Sequence, residues 1–276
     1  MTIEKSTYIK IRDTIYQKLG LHFEEQKIYF LEKRLEKRMV ALGIHSFEDY
    51  AFHLKYNDLK DIEMQALANL ITTNETYMFR EFEQLQAFAD FCLPDIIQKK
   101  LEKNNRSINI WSAGCSSGEE AYTLAIILRE IIHDFDSWFI RIIATDVDEE
   151  RLRMANAGEY EERSVKDVPD SYFDKYISIR GDRYIMKPEI KRMIEFNHLN
   201  LNDRMAMRKM RNIDFVLCRN VLIYFDDISR KAAVDNFYNS LNNGGYIFLG
   251  HSESIGRITN AFKLRRMGPH LIYYKE

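Results

Sequence analysis

Hydrophobic residues recur at every third or fourth position through about the first 90 residues, a spacing typical of helices with one buried face. The clearest rows are Ile11, Ile15 and Leu19, followed by Ile28, Leu31 and Leu35. Gly20 and Gly43 stand where these patterns stop, as helix C-caps commonly do. Ser46, with Asp49 three residues later, indicates the N-terminus of a further helix. The pattern predicts an all-helical domain over residues 1–88.

After about residue 105, short apolar runs rich in β-branched and aromatic residues alternate with helical patterns. The apolar runs cover residues 107–114, 139–146, 213–220 and 245–250, and the helical patterns cover 119–133, 148–156 and 229–241. Such runs suit strands that are buried on both faces of a parallel sheet. Strand and helix in alternation predict an α/β fold over residues 89–276. We expect the last of these helices to end in the Asn-Asn-Gly-Gly loop at 242–245.

A stretch at about residues 158–195 interrupts the alternation of strands and helices. It contains two short strand-like runs, at 176–179 and 183–187, separated by a glycine. We interpret this stretch as a small antiparallel β-subdomain inserted into the α/β domain.

Composition narrows the classes of protein to which the chain can belong. The 40 Lys and Arg residues nearly balance the 42 Asp and Glu residues, so no global positive field favours nucleic acid. Three separate cysteines, Cys92, Cys115 and Cys218, form no disulfide framework and favour a reducing compartment. No apolar run approaches the ~20 residues that a membrane-spanning helix needs, and the histidines show no spacing that indicates a metal site. We therefore expect a cytoplasmic protein without membrane insertion or a metal.

The segment IWSAGCSSGEEAYTLA, residues 110–125, predicts a strand, a loop of small residues and a helix. Small residues let a ligand approach the backbone, and the helix N-terminus offers free N–H groups. The segment has neither a GK[ST] phosphate loop nor GxGxxG. Glu119 and Glu120 would repel a pyrophosphate and suit a ligand with a cationic ammonium group. The alternative, that both glutamates only complement the helix dipole, stays open.

Asp146 ends the next apolar run, in ATDVD. A carboxylate at that point of a parallel sheet is placed to accept hydrogen bonds from ribose hydroxyls. The alternative is that this aspartate caps the following helix. The preceding loop of small residues favours ribose binding.

Two further polar segments are CRNVLIYF at 218–225 and TTNETYMFRE at 72–81. In the first, Arg219 and Asn220 follow a strand and Tyr224 comes shortly afterwards, so they face the same edge of the sheet as Asp146. The second lies between the helical repeats and the predicted sheet, and it combines hydroxyl and amide groups with an arginine. Each segment alone also fits an ordinary polar loop or a helix cap.

Together, TTNETYMFRE, WSAGCSSGEEAYTLA, ATDVD and CRNVLIYF resemble the signature segments of the chemotaxis receptor methyltransferase family, of CheR type. The resemblance extends over nearly the whole chain, through HLNL at 198–201 to GHSES at 250–254. It implies a helical N-terminal domain and a class I, Rossmann-like methyltransferase domain with an inserted β-subdomain. It also implies S-adenosylmethionine as methyl donor, S-adenosylhomocysteine as product, and glutamates of the receptors as acceptors. Gly114, Ser117 and Ala121 depart from the expected loop residues by changes of compatible size.

Carried over by motif, the resemblance implies a set of residues around the cofactor. These residues are Asn74, Thr76, Arg80, Glu119 or Glu120, Asp146, Asn200, Leu201, Arg219 and Asn220. For catalysis we favour Arg80, because a guanidinium can orient a carboxylate, and then Tyr224. The alternative for Tyr224 is aromatic packing. A glutamate acceptor with a pKa near ~4.3 is already ionised at neutral pH, so no catalytic base is expected.

The predicted helix at 27–39 carries a basic row made of Lys33, Arg34, Lys37 and Arg38. A solvated face with internal ion pairs is the usual explanation. In this family the acceptor is the acidic cytoplasmic helical bundle of methyl-accepting chemotaxis receptors, which a basic helix would steer. Both explanations stay open. The compact insertion favours action without a receptor tether. We also expect a monomer that is recruited to membrane receptor arrays.

Two other functions fit parts of the sequence. A class I methyltransferase acting on a small molecule or nucleic acid would carry a different N-terminal domain. For nucleic acid it would also need a basic stripe with interleaved aromatic residues, which we do not find. A non-catalytic module that binds S-adenosylmethionine would not need Arg80, Asp146 and Asn220.

Overall fold

The computed structural model of the chain describes residues 2–72 and 75–276. Its first part is helical, as the hydrophobic spacing predicts. The helices are α1 (Lys5–Leu19), α2 (Ile28–Leu42), α3 (Phe47–Phe52), α4 (Ile62–Ile71), α5 (Phe82–Ala87) and α6 (Leu93–Glu102). Gly20 and Gly43 end α1 and α2 with left-handed backbone angles, and the Ser46 hydroxyl accepts a hydrogen bond from the N–H of Asp49. These capping predictions are confirmed.

The second part contains a large sheet with helices on both faces. The strands of this second part, counted over both of its sheets, are β1 (Ser107–Ala113), β2 (Phe139–Asp146), β3 (Glu159–Tyr160), β4 (Ile177–Arg180), β5 (Arg183–Met186), β6 (Ile194–His198), β7 (Ile213–Cys218), β8 (Leu241–Leu249), β9 (Lys263–Met267) and β10 (His270–Tyr274). Its helices are α7 (Glu119–Ile131), α8 (Glu149–Ala157), α9 (Glu162–Val165), α10 (Asp170–Tyr176), α11 (Pro188–Lys191), α12 (Arg204–Met207) and α13 (Asp227–Ser240).

The large sheet has the strand order β6-β2-β1-β7-β8-β10-β9. The first five strands are parallel, and β10 runs antiparallel to both β8 and β9. Every residue of β7 is buried, because a central strand with helices on both faces has no side in water. The predicted α/β fold is confirmed.

The smaller sheet has three antiparallel strands in the order β3-β5-β4, so an antiparallel β-subdomain is present as predicted. The sequence pattern did not predict the strand β6, which starts at Ile194 and pairs in parallel with β2. The antiparallel pair β9 and β10 was also missed. All three strands are short and partly exposed, two of them (β6 and β9) lie at the edges of the sheet, and none has the continuous apolar run on which the strand predictions relied.

The loop predicted at residues 242–245 is instead part of β8. Leu241 pairs with Ile213, Tyr246 pairs with Phe215, and the register is irregular between these pairs. The N–H of Gly244 donates to the carbonyl of Lys275 over 2.7 Å. The Asn-Asn-Gly-Gly segment is therefore a bulge in the strand, held by a residue that is distant in sequence.

The helical domain packs over the carboxyl ends of the parallel strands. Leu21 forms a β-bridge with Phe225, and the N–H of His22 donates to the carbonyl of Tyr224. The side chain of Asn200 donates to the carbonyl of Lys18 over 2.6 Å. These contacts place the C-terminal end of α1 above the edge of the sheet where the polar motifs converge.

The basic row on α2 divides into two parts. The Arg38 guanidinium binds both carboxylate oxygens of the buried Glu63, at 3.0 and 2.7 Å. Arg34 donates to the carbonyl of Leu70 and stacks over the ring of Phe30. Both arginines therefore attach α2 to its own domain, and their role in substrate docking stays a prediction.

Lys33 and Lys37 are exposed, so their docking role stays a prediction. None of the helices in the described part of the chain is long and apolar enough to cross a bilayer. The described residues also contain no cluster of three or more His, Cys, Asp or Glu side chains that could hold a metal ion.

Candidate functional site

A pocket lies at the carboxyl ends of β1, β2 and β7, beneath the end of α1. The empty space between its walls is about 1000 Å³, including the open mouth. The predicted site residues that line it are Thr76, Arg80, Glu120, Asp146, Asn200, Leu201, Arg219, Asn220 and Tyr224. Asn74 lies outside the described residues. The polar motifs, which are up to about 150 residues apart in sequence, therefore meet in one place.

The loop after β1 can bend into the pocket because Gly114 has no side chain. Its φ of +82° is in the left-handed region, and a Cβ atom there would overlap the side chain of Val221. The loop then places Ser116 in the pocket wall. The Ser116 hydroxyl is buried and has no hydrogen-bond partner in the described structure. An unpaired buried hydroxyl facing a cavity fits a site that a polar ligand completes.

Asp146 holds the loop from the end of β2. It is only 8% exposed, and its carboxylate accepts hydrogen bonds from the N–H groups of Ser116 and Asp148 at 2.7 and 2.9 Å. Burial raises its pKa, and these two N–H donors oppose that rise. A carboxylate can accept about four hydrogen bonds, so two backbone donors leave capacity for ligand hydroxyls. The N-cap of α8 is Asp148, not Asp146, which removes the alternative that Asp146 caps this helix.

The two adjacent glutamates of α7 point in different directions. Glu120 lines the pocket, where it accepts a hydrogen bond from the Ser112 hydroxyl and pairs with Arg219 at 3.2 Å. Glu119 instead accepts hydrogen bonds from the hydroxyls of Ser117 and Ser164, and burial raises its pKa. Glu119 does not line the pocket, so of the two glutamates left open by the sequence the geometry favours Glu120 for a contact with the cofactor.

The guanidinium of Arg219 is buried between two carboxylates and a backbone carbonyl. It lies 3.2 Å from Glu120 and 3.3 Å from Glu81, and it donates to the carbonyl of Arg80 over 2.5 Å. Its Nε is buried without a hydrogen-bond partner in the described part of the chain. Arg219 therefore connects the end of β7 with the segment that carries Arg80.

Arg80 lies in a strained segment. Its neighbours Phe79 and Glu81 have φ values of +60° and +55°, which cost of order 1–3 kcal/mol each and tend to occur at functional sites. Two backbone hydrogen bonds hold the segment: the N–H of Met78 donates to the carbonyl of Ser164, and the N–H of Phe79 donates to the Thr123 hydroxyl. The Arg80 side chain lines the pocket and donates to the carbonyl of Glu75.

Several residues that line the pocket were not predicted from the sequence. They include Leu19 and Leu21 from the helical domain and Val147 and Leu199 from loops beside the sheet. They are ordinary apolar residues in ordinary patterns. No sequence signal identifies Leu19 and Leu21, because only the packing of the two domains brings them to the pocket. Val147 and Leu199 directly follow β2 and β6, at the carboxyl edge of the sheet.

Comparison with known proteins agrees with this geometry. The family model described as "CheR methyltransferase, SAM binding domain" matches residues 74–270, and "CheR methyltransferase, all-alpha domain" matches residues 6–72. Chemotaxis protein methyltransferase 2 of Vibrio cholerae is 41% identical over 276 residues, which cover 100% of this chain and 94% of that protein. The chemotaxis protein methyltransferase of Borreliella burgdorferi is 35% identical over 91% of this chain and 88% of its own length. The chain therefore belongs to the CheR methyltransferase family and uses S-adenosylmethionine as its methyl donor.

Proposed function

We propose that the chain transfers the methyl group of S-adenosylmethionine to glutamate side chains of chemotaxis receptors, in the pocket at the carboxyl edge of the sheet. The observation that carries the proposal is the convergence of Asp146, Glu120 and Arg80, from three separate segments, on one pocket. The names of the relatives, which are chemotaxis protein methyltransferases, support this acceptor class.

The walls of the pocket fit the parts of S-adenosylmethionine. Asp146 would accept hydrogen bonds from the ribose hydroxyls, and the carboxylate of Glu120 suits the ammonium group. Leu199, Leu201 and Val147 offer apolar surface for the adenine, with Asn200 beside them. The chemistry of this donor set matches a nucleoside that carries a positive charge at its other end.

The remaining site residues would complete the binding of the methionine portion. Thr76 and Asn220 line the pocket and bring hydroxyl and amide groups, and Asn74 stays a predicted member of this group. The unpaired Ser116 hydroxyl and the unpaired Nε of Arg219 are further polar groups available there. Because burying an unpaired polar group costs free energy, a ligand that pairs with them would be favoured.

The reaction needs orientation rather than proton transfer. When bound, S-adenosylmethionine would supply an electrophilic methyl group on a positively charged sulfur, with S-adenosylhomocysteine as the product. An oxygen of the ionised glutamate forms the new C–O bond while the S–C bond breaks, so no proton moves. Arg80 would orient the acceptor carboxylate, and Tyr224 would lie beside the reacting atoms. Leu19 and Leu21 line the pocket with apolar side chains and would exclude water around the bound molecules, which would strengthen these charge interactions.

The acceptor would be the cytoplasmic helical bundle of the receptors, reached by a monomer recruited to receptor arrays. The exposed Lys33 and Lys37 on α2 would steer the acidic bundle towards the pocket. We infer that the chain needs no receptor tether, because its three-stranded inserted sheet is compact.

Tritiated S-adenosylmethionine and receptor-containing membranes test the proposal, with base-labile methyl esters as the readout. We expect Arg80→Ala to lower the rate of ester formation by about a hundredfold, the cost of misplacing a reacting group. Arg153→Ala, at an exposed arginine on α8, should leave the rate unchanged. If the unsubstituted chain binds S-adenosylmethionine but forms no base-labile esters, the acceptor is wrong. If Arg80→Ala is fully active, the role of Arg80 is wrong.

A further inference from the structure

The loop that follows β8 contains a glutamate that faces inward towards the wall of the pocket. This loop is the GHSES segment, residues 250–254, in which His251 is exposed. One oxygen of Glu253 accepts hydrogen bonds from the N–H groups of Gly250 and Asn220, at 2.7 and 2.8 Å. The other oxygen accepts one from the N–H of Ile223 at 3.2 Å. A single carboxylate therefore binds three backbone donors.

Two of those donors belong to one wall of the pocket, formed by residues 220–224, which we call the Asn220 turn. Asn220 has a φ of +60°, and a short 3-10 turn, Leu222–Tyr224, follows it. Backbone N–H groups at such a transition have no partner within regular structure. Hydrogen bonds to a carboxylate are about twice as strong as those between neutral groups. Glu253 therefore holds the backbone of the turn in place, because it accepts hydrogen bonds from N–H groups that have no partner within the turn.

The GHSES loop packs against the Asn220 turn so closely that the contact leaves no room for a side chain at Gly250. A Cβ atom on Gly250 would lie 2.7 Å from the backbone nitrogen of Asn220 and 2.8 Å from its side-chain nitrogen. On its other side the turn carries Val221, whose side chain fills the space above Gly114. A shift of the GHSES loop would therefore move the Asn220 turn and, through Val221, the loop after β1.

We propose that Glu253 is a positioning residue for methyl transfer. It does not line the pocket itself. Its carboxylate binds the Asn220 turn on the side away from the pocket, and so holds Asn220 and Tyr224 in position beside the bound cofactor and acceptor. This inference rests on the proposed function, because it takes Asn220 and Tyr224 to face the reacting molecules.

Glu253→Gln tests the proposal with almost no change in shape. The amide keeps one acceptor oxygen but directs an NH₂ group at a backbone N–H, so one or two of the three hydrogen bonds are lost. We expect calorimetry to show about tenfold weaker binding of S-adenosylmethionine, and kcat for receptor methylation to fall at least about tenfold, as is usual when a reacting group is misplaced. His251→Ala, in the same loop but exposed, should change neither quantity.

A double-mutant cycle separates positioning from general loss of structure. In an Asn220→Ala background, Glu253→Gln should weaken binding of S-adenosylmethionine much less than it does in the unsubstituted chain, because the group that it positions is gone. Equal effects in both backgrounds would overturn the proposal. So would a folded Glu253→Gln variant with the affinity and kcat of the unsubstituted chain.

If Glu253→Gln does not fold, Gly250→Ala displaces the same turn by steric contact, and a folded Gly250→Ala variant with unchanged affinity would overturn the proposal. Failure of the proposed function gives a different result. If Asn220→Ala binds S-adenosylmethionine normally, the placement of the pocket residues is wrong. If Asn220→Ala binds weakly and Glu253→Gln binds normally, only the role of Glu253 is wrong.

Discussion

The adjacent glutamates at the start of α7 offer a matched pair of substitutions. Glu120→Gln removes a charge that faces the pocket, and Glu119→Gln removes one that faces Ser117 and Ser164. Both changes keep the length of the side chain and the helix propensity nearly constant. Any difference between the two variants therefore reports the direction in which each carboxylate points.

The contacts of Glu120 determine how much affinity for S-adenosylmethionine the Glu120→Gln variant should lose. If Glu120 binds the ammonium group of S-adenosylmethionine, the charged hydrogen bond contributes about 1.5–3 kcal/mol. Its loss would weaken binding by about tenfold to about a hundredfold. Arg219 would keep Glu81 at 3.3 Å and the carbonyl of Arg80, so the buried guanidinium stays partly compensated and we expect Glu120→Gln to fold.

Isothermal calorimetry with S-adenosylmethionine at neutral pH measures both affinities directly. We expect Glu119→Gln to bind within about twofold of the unsubstituted chain, since its neighbours are hydroxyl groups that can donate to or accept from an amide. Equal losses of affinity in the two variants, or a larger loss in Glu119→Gln, would refute the assignment of Glu120 to the pocket.

The same Glu119→Gln variant carries a prediction about pH. Burial raises the pKa of Glu119 in the folded chain, so the folded state binds a proton more tightly than the unfolded state. The stability that this group contributes is complete below its unfolded pKa of about 4.3 and is lost as the pH rises through the higher folded pKa. We therefore expect Glu119→Gln to melt at the same or a higher temperature than the unsubstituted chain at pH 8. This advantage should shrink as the pH falls towards 4.5, and an advantage that grows on acidification would contradict the burial argument.

Two further substitutions test the packing around the site. Arg38→Ala should lower the free energy of unfolding by about 3 kcal/mol in urea titrations, because it leaves the buried Glu63 carboxylate without its cation. The exposed Lys37→Ala should cost less than about 0.5 kcal/mol, and equal losses would contradict a structural role for Arg38. Gly114→Ala should weaken binding of S-adenosylmethionine in calorimetry, because its Cβ would overlap Val221 and displace the loop. Normal binding would show that the loop can move without cost.

Local patterns were sufficient to predict most of the elements. The row of Ile11, Ile15 and Leu19 is buried in α1, and the apolar run at 139–146 is β2 over the same residues. A repeat of three to four residues or a continuous apolar run reflects burial that each segment needs wherever it docks. Asp146 was also predictable, because the carboxyl ends of neighbouring parallel strands meet at one edge of a sheet.

The contacts of adjacent or chemically similar residues depend on the tertiary structure. Glu119 and Glu120 are consecutive in sequence, yet successive residues of a helix point about 100° apart, and only the position of the β-subdomain decides which one is covered. Arg34 and Lys33 are equally basic, but the packing of α4 against α2 engages only the arginine. Sequence patterns cannot distinguish such pairs.

Local sequence patterns are enough to predict the helical domain, the parallel strands and the polar residues at the ends of those strands, because hydrophobic spacing and continuous apolar runs are properties of each segment alone. The packing of whole elements, by contrast, brings Leu19 and Leu21 to the wall of the pocket and places Glu253 against the Asn220 turn. The N–H of Asn220 and the carboxylate of Glu253 are 33 residues apart. Contacts over such separations depend on how whole elements pack, and no local pattern of hydrophobic and polar residues records that packing.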